Sequence, residues 1–328
     1  MSQHNKNLGS VEMMRGIAAF MVAYFHIARG NRDFLDNSSV FFKAGAYGWA
    51  GVEIFFVISG FIITYAMING GYTISRIHHF VAKRFIRLEP PYIVSILVVL
   101  LLMYVSTLSP YYRGEPFNPD WGNVLGHLGY VNAFTGAKWL QDVYWSLAIE
   151  FEFYLGLALL FPLLVHKNKI VSYTAMAALL GMSFIPAGVA HIFQYLPYFC
   201  MGIFYSMFLL GRINRTVFWV SFPAAASVCY YMHGHTLLGL ALVTIAVFAY
   251  LKNVPRPLAW LGKISYSLYL LHIPIGGRII NISETLVKNQ DMRVAIVFLS
   301  LAVCIFCSWL FYSWVEKPFQ KWSKRIKY

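Results

Sequence analysis

Apolar runs of about twenty residues recur along this chain from one end to the other, and they limit the folds it can adopt. A helix of that length crosses roughly 30 Å of hydrocarbon. Hydrophobic residues make up 59% of the chain and charged residues only 12%, which is far from the composition of a soluble domain. The short alternating segments of a membrane β-barrel are absent from the sequence. We therefore predict an all-α, polytopic membrane protein.

The apolar runs give about ten candidate transmembrane helices, of which the three between residues 195 and 251 are short for a full crossing. If the N-terminus lies in the cytoplasm, most of the 26 basic residues fall on the inner side. This excess follows the positive-inside rule and predicts that both termini are cytoplasmic. The ten predicted spans are 9–28, 45–68, 90–109, 144–165, 171–190, 195–210, 217–232, 236–251, 263–283 and 293–315.

The chain is expected to form a single membrane-embedded domain over residues 1–328. Its longest non-apolar stretch, 110–143, is rich in Pro, Gly, Asn and aromatic residues, and the predicted topology makes it an external loop. That loop is either a substrate-recognition element or a connector on the surface. Residues 76–88 predict an amphipathic helix on the inner face, ended by the two prolines that follow. Residues 317–328 form a basic cytoplasmic tail.

The net charge of +13 does not indicate a nucleic-acid partner, because the basic residues are spread over short predicted turns. They are more typical of topology determinants and of contacts with anionic membrane lipid. All four cysteines lie in apolar segments, including the Cys-x-x-Cys pair at 304 and 307. A zinc or redox role does not suit a lipid-embedded helix, so we expect no metal.

Ionisable side chains inside a bilayer cost several kcal/mol, so each one in a predicted span is a candidate functional group. Arg15 and His26 are eleven positions apart, a spacing that rotates by three full turns plus roughly 20° and rises ~16 Å. They therefore share one face of the first helix, with Arg15 near the inner side and His26 near the outer side. The other candidates within spans are Glu53, Glu150, Glu152 and His272.

A histidine beside carboxylates in a dry interior suits general-base chemistry, because a carboxylate can orient the imidazole while it takes a proton from an alcohol. His26 with Glu150 is the leading pair. Glu152 is turned by ~200° from Glu150, so both carboxylates cannot easily enter one site. A buried Glu53, Glu152 or His272 can equally tie helices together through hydrogen bonds.

Ser59 is a candidate nucleophile, although its position before Gly60 also suits close packing between helices. Chemistry with and without a covalent intermediate on Ser59 therefore both remain open.

Six short blocks follow one another between about residues 9 and 318. The blocks are Arg15-x10-His26, GWAGVEIFFVISGFII at 48–63, KRFIRLEPPY at 83–92, WSLAIEFEFYL at 145–155, ISYSLYLLHIP at 264–274 and VEKP at 315–318. Together they resemble the acyltransferase-3 family of integral membrane O-acyltransferases.

The resemblance implies transfer of an acyl group, commonly acetyl from acetyl-CoA, to a hydroxyl of a sugar or cell-envelope glycan. It also implies a location in the bacterial inner (plasma) membrane. His26 would be the catalytic histidine, Arg15 its motif partner and Glu150 the motif carboxylate. Some members carry a further extracellular domain, and the end of this chain at Tyr328 predicts the stand-alone form.

The basic block at 83–92 is the expected binding site for the phosphates of acyl-CoA, together with Arg15. Lys83 stands where the family often has arginine and lacks the planar guanidinium fork, so Arg84 and Arg87 are the stronger candidates.

Two other classes of function fit part of the pattern. A transporter or flippase for an envelope glycan precursor would also need intramembrane charges, but the sequence has no internal repeat. A scaffold subunit of an envelope-synthesis complex would tolerate replacement of His26 and Glu150. The sequence does not choose among exopolysaccharide, O-antigen, a lipid-linked sugar, peptidoglycan and a small glycosylated compound as acceptor, or between acetyl and a longer acyl group.

Overall fold

The structure is a computed structural model that describes residues 3–109, 112, 115–186 and 192–327, with side chains from residue 9 onward. Within these residues the chain is helical and contains no β-strand, which confirms the predicted all-α class. The α-helices are α1 Gln3–Arg29, α2 Val40–Ala44, α3 Gly51–Gly70, α4 Ile77–Thr107, α5 Trp121–Gly126, α6 Asn132–Thr135, α7 Tyr144–Leu164, α8 Lys169–Gly181, α9 Leu196–Leu209, α10 Arg215–Tyr250, α11 Arg256–Lys263, α12 Ser265–Leu271, α13 Arg278–Leu286, α14 Gln290–Phe311 and α15 Lys317–Ser323.

Seven helical segments in the described part of the chain are long and apolar enough to cross a membrane. The other predicted spans take different forms. The predicted span 171–190 corresponds to a shorter apolar helix, Lys169–Phe184, and residues 187–190 lie outside the described residues. The seven segments are Gly9–Arg29, Val40–Gly70, Ile74–Thr107, Tyr144–Leu164, Ile192–Leu209, Arg215–Tyr250 and Gln290–Ser323.

Two backbone breaks account for the remaining differences from the predicted spans. The two spans predicted between 217 and 251 are the halves of α10, which kinks at Gly234, where φ is +80°. Only a residue without a Cβ adopts that conformation readily. The span predicted at 263–283 is split into α12 and α13 by a π-helical turn, His272–Gly277, which contains Pro274. Such π-turns are frequent at functional sites.

The prediction that a helix ends at Pro90 and Pro91 is wrong, because α4 runs through both prolines for 31 residues. Each proline removes one helical N–H donor. The hydroxyl of Tyr266 donates to the carbonyl of Leu88, 2.9 Å away, and so fixes α4 against α12 next to the prolines.

Helices α3 and α9 pack closely at the centre of the bundle through two glycines. A side chain at Gly60 would collide with the backbone of Phe199, and one at Gly202 would collide with the backbone of α3. Small residues allow this close approach between helices. The face of α3 that carries Gly60 is therefore occupied by α9, and Ser59 next to it points elsewhere.

The stretch 110–143 is folded where it is described, while residues 110, 111, 113 and 114 lie outside the described residues. The buried imidazole of His127 connects its parts. Nδ1 donates to the carbonyl of Asn123 over 2.8 Å, and Nε2 accepts the amide proton of Leu140 over 2.9 Å. Burial lowers the pKa of His127 below its usual value, with the Asn123 hydrogen bond acting against that shift.

The segment predicted as a basic tail begins as a helix. Residues Lys317–Ser323 form α15, which packs against α4, and Tyr328 lies outside the described residues. This packing brings Glu316, at the start of α15, into the interior of the bundle, where it is 2% exposed.

Candidate active site

Three arginines meet at one internal cavity, which we call the arginine cavity. Arg15 comes from α1, and Arg84 and Arg87 lie one turn apart on α4. The empty volume of the cavity, including its open mouth, is about 790 Å³. The other lining residues are Val52, Phe55, Phe56, Ile58, Ser59, Ile62, Ile63, Leu88, Ser146, Leu147, Glu150, Tyr154, Tyr266 and Tyr269.

The guanidinium groups of the arginine cavity are close enough for Arg87 to be repelled by both Arg15 and Arg84. Arg84 is 7% exposed, lies over the ring of Tyr154 at 5.7 Å, and its buried Nε has no hydrogen-bond partner among the described residues. Buried cations without a bonded counter-charge are costly. The cavity is therefore suited to an anion with several charges.

Glu150 lies in the wall of the arginine cavity and accepts two hydrogen bonds on the same oxygen. Ser59 Oγ donates to Glu150 Oε1 over 2.5 Å, and the hydroxyl of Tyr154 donates to that oxygen as well. Hydrogen bonds to a carboxylate are short and strong. They fix the carboxylate of Glu150 and occupy the hydroxyl proton of Ser59.

A second carboxylate near the arginines was missed by the sequence reasoning. Glu316 accepts from Ser267 Oγ and from Gln320 Nε2, both over 2.6 Å, and its charge acts on Arg15 and Arg87. It belongs to the VEKP block at 315–318, but the last predicted span ended one residue before it. The order of the helices in space, rather than hydropathy, places it near the arginines.

His26 and His272, which we call the histidine pair, are in direct contact. His26 Nδ1 lies 3.2 Å from His272 Nε2, and the ring centroids are 5.1 Å apart. His26 is half-buried on α1, whereas His272 is fully buried at the first position of the π-turn. His26 Nδ1 also lies 2.9 Å from the carbonyl oxygen of Val22, and His272 Nδ1 lies 3.0 Å from that of Leu268.

The histidine pair does not line the arginine cavity. Tyr269 lies between the two regions and contacts both. The ring of Tyr269 lies 5.9 Å from that of His272 and 5.8 Å from that of Phe55. Its hydroxyl is 2.6 Å from Ser146 Oγ, and both tyrosine and serine line the cavity. One layer of aromatic side chains therefore separates the cavity from the histidines.

Three of the predicted site residues lie apart from this arrangement. Glu53 is buried near Tyr195 and Tyr198 and does not line the arginine cavity. Lys83 is half-buried and also lies outside the lining, since one residue along a helix turns by about 100° from Arg84.

Glu152 lies on the far side of α7 from the arginine cavity. It accepts the backbone N–H of Ile192 over 3.0 Å, which is a structural contact between α7 and the segment before α9. The ~200° turn between Glu150 and Glu152 thus separates a carboxylate in the cavity wall from one that binds a neighbouring helix.

The fold is a helical bundle with membrane-spanning segments, and it holds a cationic cavity near a pair of histidines in contact. Residues 8–313 match the family described as "Acyltransferase domain", and the chain belongs to that family. This confirms the resemblance given by the six blocks. It also favours the acyltransferase over the transporter and scaffold alternatives.

Several curated relatives are O-acetyltransferases by name. The O-acetyltransferase OatA of Staphylococcus aureus is 26% identical over 84% of this chain and 53% of its own length. The putative peptidoglycan O-acetyltransferase YrhL of Bacillus subtilis is 23% identical over 99% of this chain and 57% of its own. The peptidoglycan O-acetyltransferase OatA of Listeria monocytogenes is 22% identical over 96% of this chain and 56% of its own. The chain thus spans about half the length of these relatives. No solved structure matches it significantly.

Proposed function

We propose that this chain is a membrane O-acyltransferase that moves an acyl group, acetyl in the simplest case, from acyl-CoA to a hydroxyl of a cell-surface or lipid-linked glycan. The names of the relatives favour an acceptor in the cell envelope, since two of them refer to peptidoglycan. The observation that carries the proposal is the arginine cavity, a group of three cations in the interior of a membrane protein.

Acyl-CoA is the donor that fits the arginine cavity best. Its phosphates would neutralise the mutual repulsion of Arg15, Arg84 and Arg87. Planar guanidinium groups bind phosphate oxygens in pairs of hydrogen bonds, which suits them to this role better than a lysine. In the orientation predicted from the basic loops, the three arginines lie toward the cytoplasm, where acyl-CoA is made.

The acyl thioester would extend from the arginine cavity past Tyr269 toward the histidine pair. The distance along α1 from Arg15 to His26 is about 16 Å, which matches the reach of an extended pantetheine arm. His26 is half-buried, and in the proposed scheme the acceptor hydroxyl approaches it from the opposite side of the membrane.

The proposed reaction is a direct transfer with His26 as general base. The acceptor oxygen forms a bond to the thioester carbonyl carbon while its proton passes to His26. The tetrahedral intermediate then expels CoA as a thiolate, which takes the proton from the imidazolium. We favour this route over an acyl-Ser59 intermediate because the Ser59 hydroxyl is bonded to Glu150 and does not contact a histidine.

The test uses the full chain in lipid nanodiscs with radiolabelled acetyl-CoA and a soluble glycan acceptor. His26→Ala should lower transfer on the order of 10²–10⁴-fold, the usual contribution of a general base, without changing protein level or thermal stability. His166→Ala, at an exposed histidine, is the matched control and should retain activity. Full activity of the His26 variant would overturn the proposal.

A further inference from the structure

We propose that His272 is a positioning residue that holds His26 in the tautomer with its proton on Nδ1, so that Nε2 is the basic atom. This inference rests on the proposed function, in which His26 is the general base. Three distances within the histidine pair and its helices support it. One distance locates the proton of His272, and the other two locate the proton of His26.

The first distance fixes the proton of His272. Its Nδ1 lies 3.0 Å from the carbonyl oxygen of Leu268, and a carbonyl oxygen can only accept a hydrogen bond. Nδ1 therefore carries the proton. A fully buried imidazole with no carboxylate bonded to it is neutral and has a single N–H. The Nε2 atom of His272 is then an acceptor.

The other two distances fix the proton of His26. Its Nδ1 lies 2.9 Å from the carbonyl oxygen of Val22 and 3.2 Å from His272 Nε2. Both neighbours are acceptors, so Nδ1 must carry the proton that they share. In the opposite tautomer a lone pair of Nδ1 would face a carbonyl oxygen at 2.9 Å. The lone pair of His26 is therefore on Nε2.

The backbone near His272 keeps the two imidazoles in contact. His272 opens the π-turn, and a Cβ placed on Gly276 in that turn would lie 2.7 Å from Cδ1 of Ile27 on α1. The missing side chain at Gly276 thus permits the approach of the turn to α1. Cys304 of α14 contacts the carbonyl of His272 from the other side, 3.7 Å away.

A neutral imidazole in this role suits the membrane interior. A carboxylate would orient His26 equally well but would bring a buried charge at a cost of several kcal/mol. When His26 takes a proton on Nε2, its Nδ1–H remains bonded to His272, and the bond becomes charge-assisted. His272 therefore positions the base and supports its charged form without a resident charge.

The test compares His272→Gln with His272→Leu in the full chain in nanodiscs. The glutamine amide oxygen reaches about as far as Nε2 and can accept from His26 Nδ1–H, whereas leucine cannot. We expect kcat to fall about 10- to 100-fold in His272→Leu and to recover at least in part in His272→Gln. The donor KM should not change in either variant.

Nitrogen-15 NMR of labelled histidine supplies the decisive readout. Wild-type His26 should show a protonated Nδ1 and a bare Nε2. In His272→Leu only the Val22 carbonyl remains as a partner of Nδ1, so the share of the opposite tautomer should rise. The same two substitutions at His233, which contacts the carbonyl of Gln194, are the control and should leave the His26 signal unchanged.

The proposal is overturned if wild-type His26 carries its proton on Nε2, or if His272→Leu keeps the wild-type tautomer and kcat. Equal losses in the leucine and glutamine variants would indicate a packing role and would also overturn it. If His26→Ala is inactive while His272→Leu is normal, this inference fails and the proposed function stands. If His26→Ala is active, the proposed function itself fails.

Discussion

The arginine cavity and the histidine pair balance their polar groups in opposite ways. The cavity holds permanent charges, with the carboxylates of Glu150 and Glu316 nearby but bonded to hydroxyl and amide donors. The histidine pair uses neutral imidazoles and helix carbonyl oxygens. The first arrangement suits binding of a charged ligand, and the second suits transfer of a proton. In the proposed function, substrate binding and chemistry are therefore assigned to different ends of α1.

The largest effect that tests this division is expected from Arg84→Gln. Loss of a buried cation that binds phosphate should cost about 2–4 kcal/mol of donor binding, or roughly 30- to 1,000-fold in donor KM. The kcat at saturating donor should stay within a few-fold of wild type. Steady-state kinetics with labelled acetyl-CoA measure both. Arg76→Gln, at an exposed arginine before α4, is the control, and equal KM values in the two variants would place the donor elsewhere.

The next effect is expected from Glu150→Gln, which keeps the shape of the side chain and removes its charge. Ser59 and Tyr154 would then donate to a neutral acceptor, and we expect kcat to fall about 10- to 100-fold. The matched control is Glu152→Gln, two residues along the same helix but bonded to Ile192. Similar losses in both variants would remove the distinction between the two carboxylates.

A smaller effect of opposite sign is expected from Glu316→Gln. Glutamine can still accept from Ser267, but the negative charge that acts on Arg15 and Arg87 is lost. The electrostatic potential of the arginine cavity should then become more positive, by about 1 kcal/mol per unit charge. The anionic donor should therefore bind more tightly, with a donor KM about fivefold lower. Isothermal titration with CoA is a direct measurement. Weaker CoA binding would mean that Glu316 orients the arginines instead of opposing them.

The smallest effect concerns His127 in the stretch 110–143, which does not line the arginine cavity. Burial lowers the pKa of His127, so the unfolded stretch binds more protons than the folded one between the lowered pKa and about 6.5. Stability from this group is full above that window and is lost as the pH falls through it. Amide exchange around Leu140, corrected for its intrinsic pH dependence, should show less protection at pH 5.5 than at pH 7.5. A His127→Gln variant should lose this dependence, and a wild type without it would contradict the assignment.

Much of the site could be predicted from local sequence. The eleven-residue spacing of Arg15 and His26 implies a common face of α1, and the i, i+3 spacing of Arg84 and Arg87 implies one face of α4. The arginines do line one cavity. The sequence could not show whether Glu53 belongs to the site, because the depth of a residue in the membrane does not determine which helix its side chain faces. It lies toward Tyr195 and Tyr198 instead.

The sequence by itself determined the helical class, the family and the faces on which the charged side chains lie, because hydropathy and helical periodicity act over a few turns. The tertiary structure decided the partners. The contact of His26 with His272 joins residues 246 positions apart, and the approach of Glu316 to Arg15 joins opposite ends of the chain. The tertiary structure also decided that α4 continues through its prolines, next to which the hydroxyl of Tyr266 donates a hydrogen bond to the carbonyl of Leu88. Such contacts depend on how helices pack, and a local pattern carries no information about which helices will be neighbours.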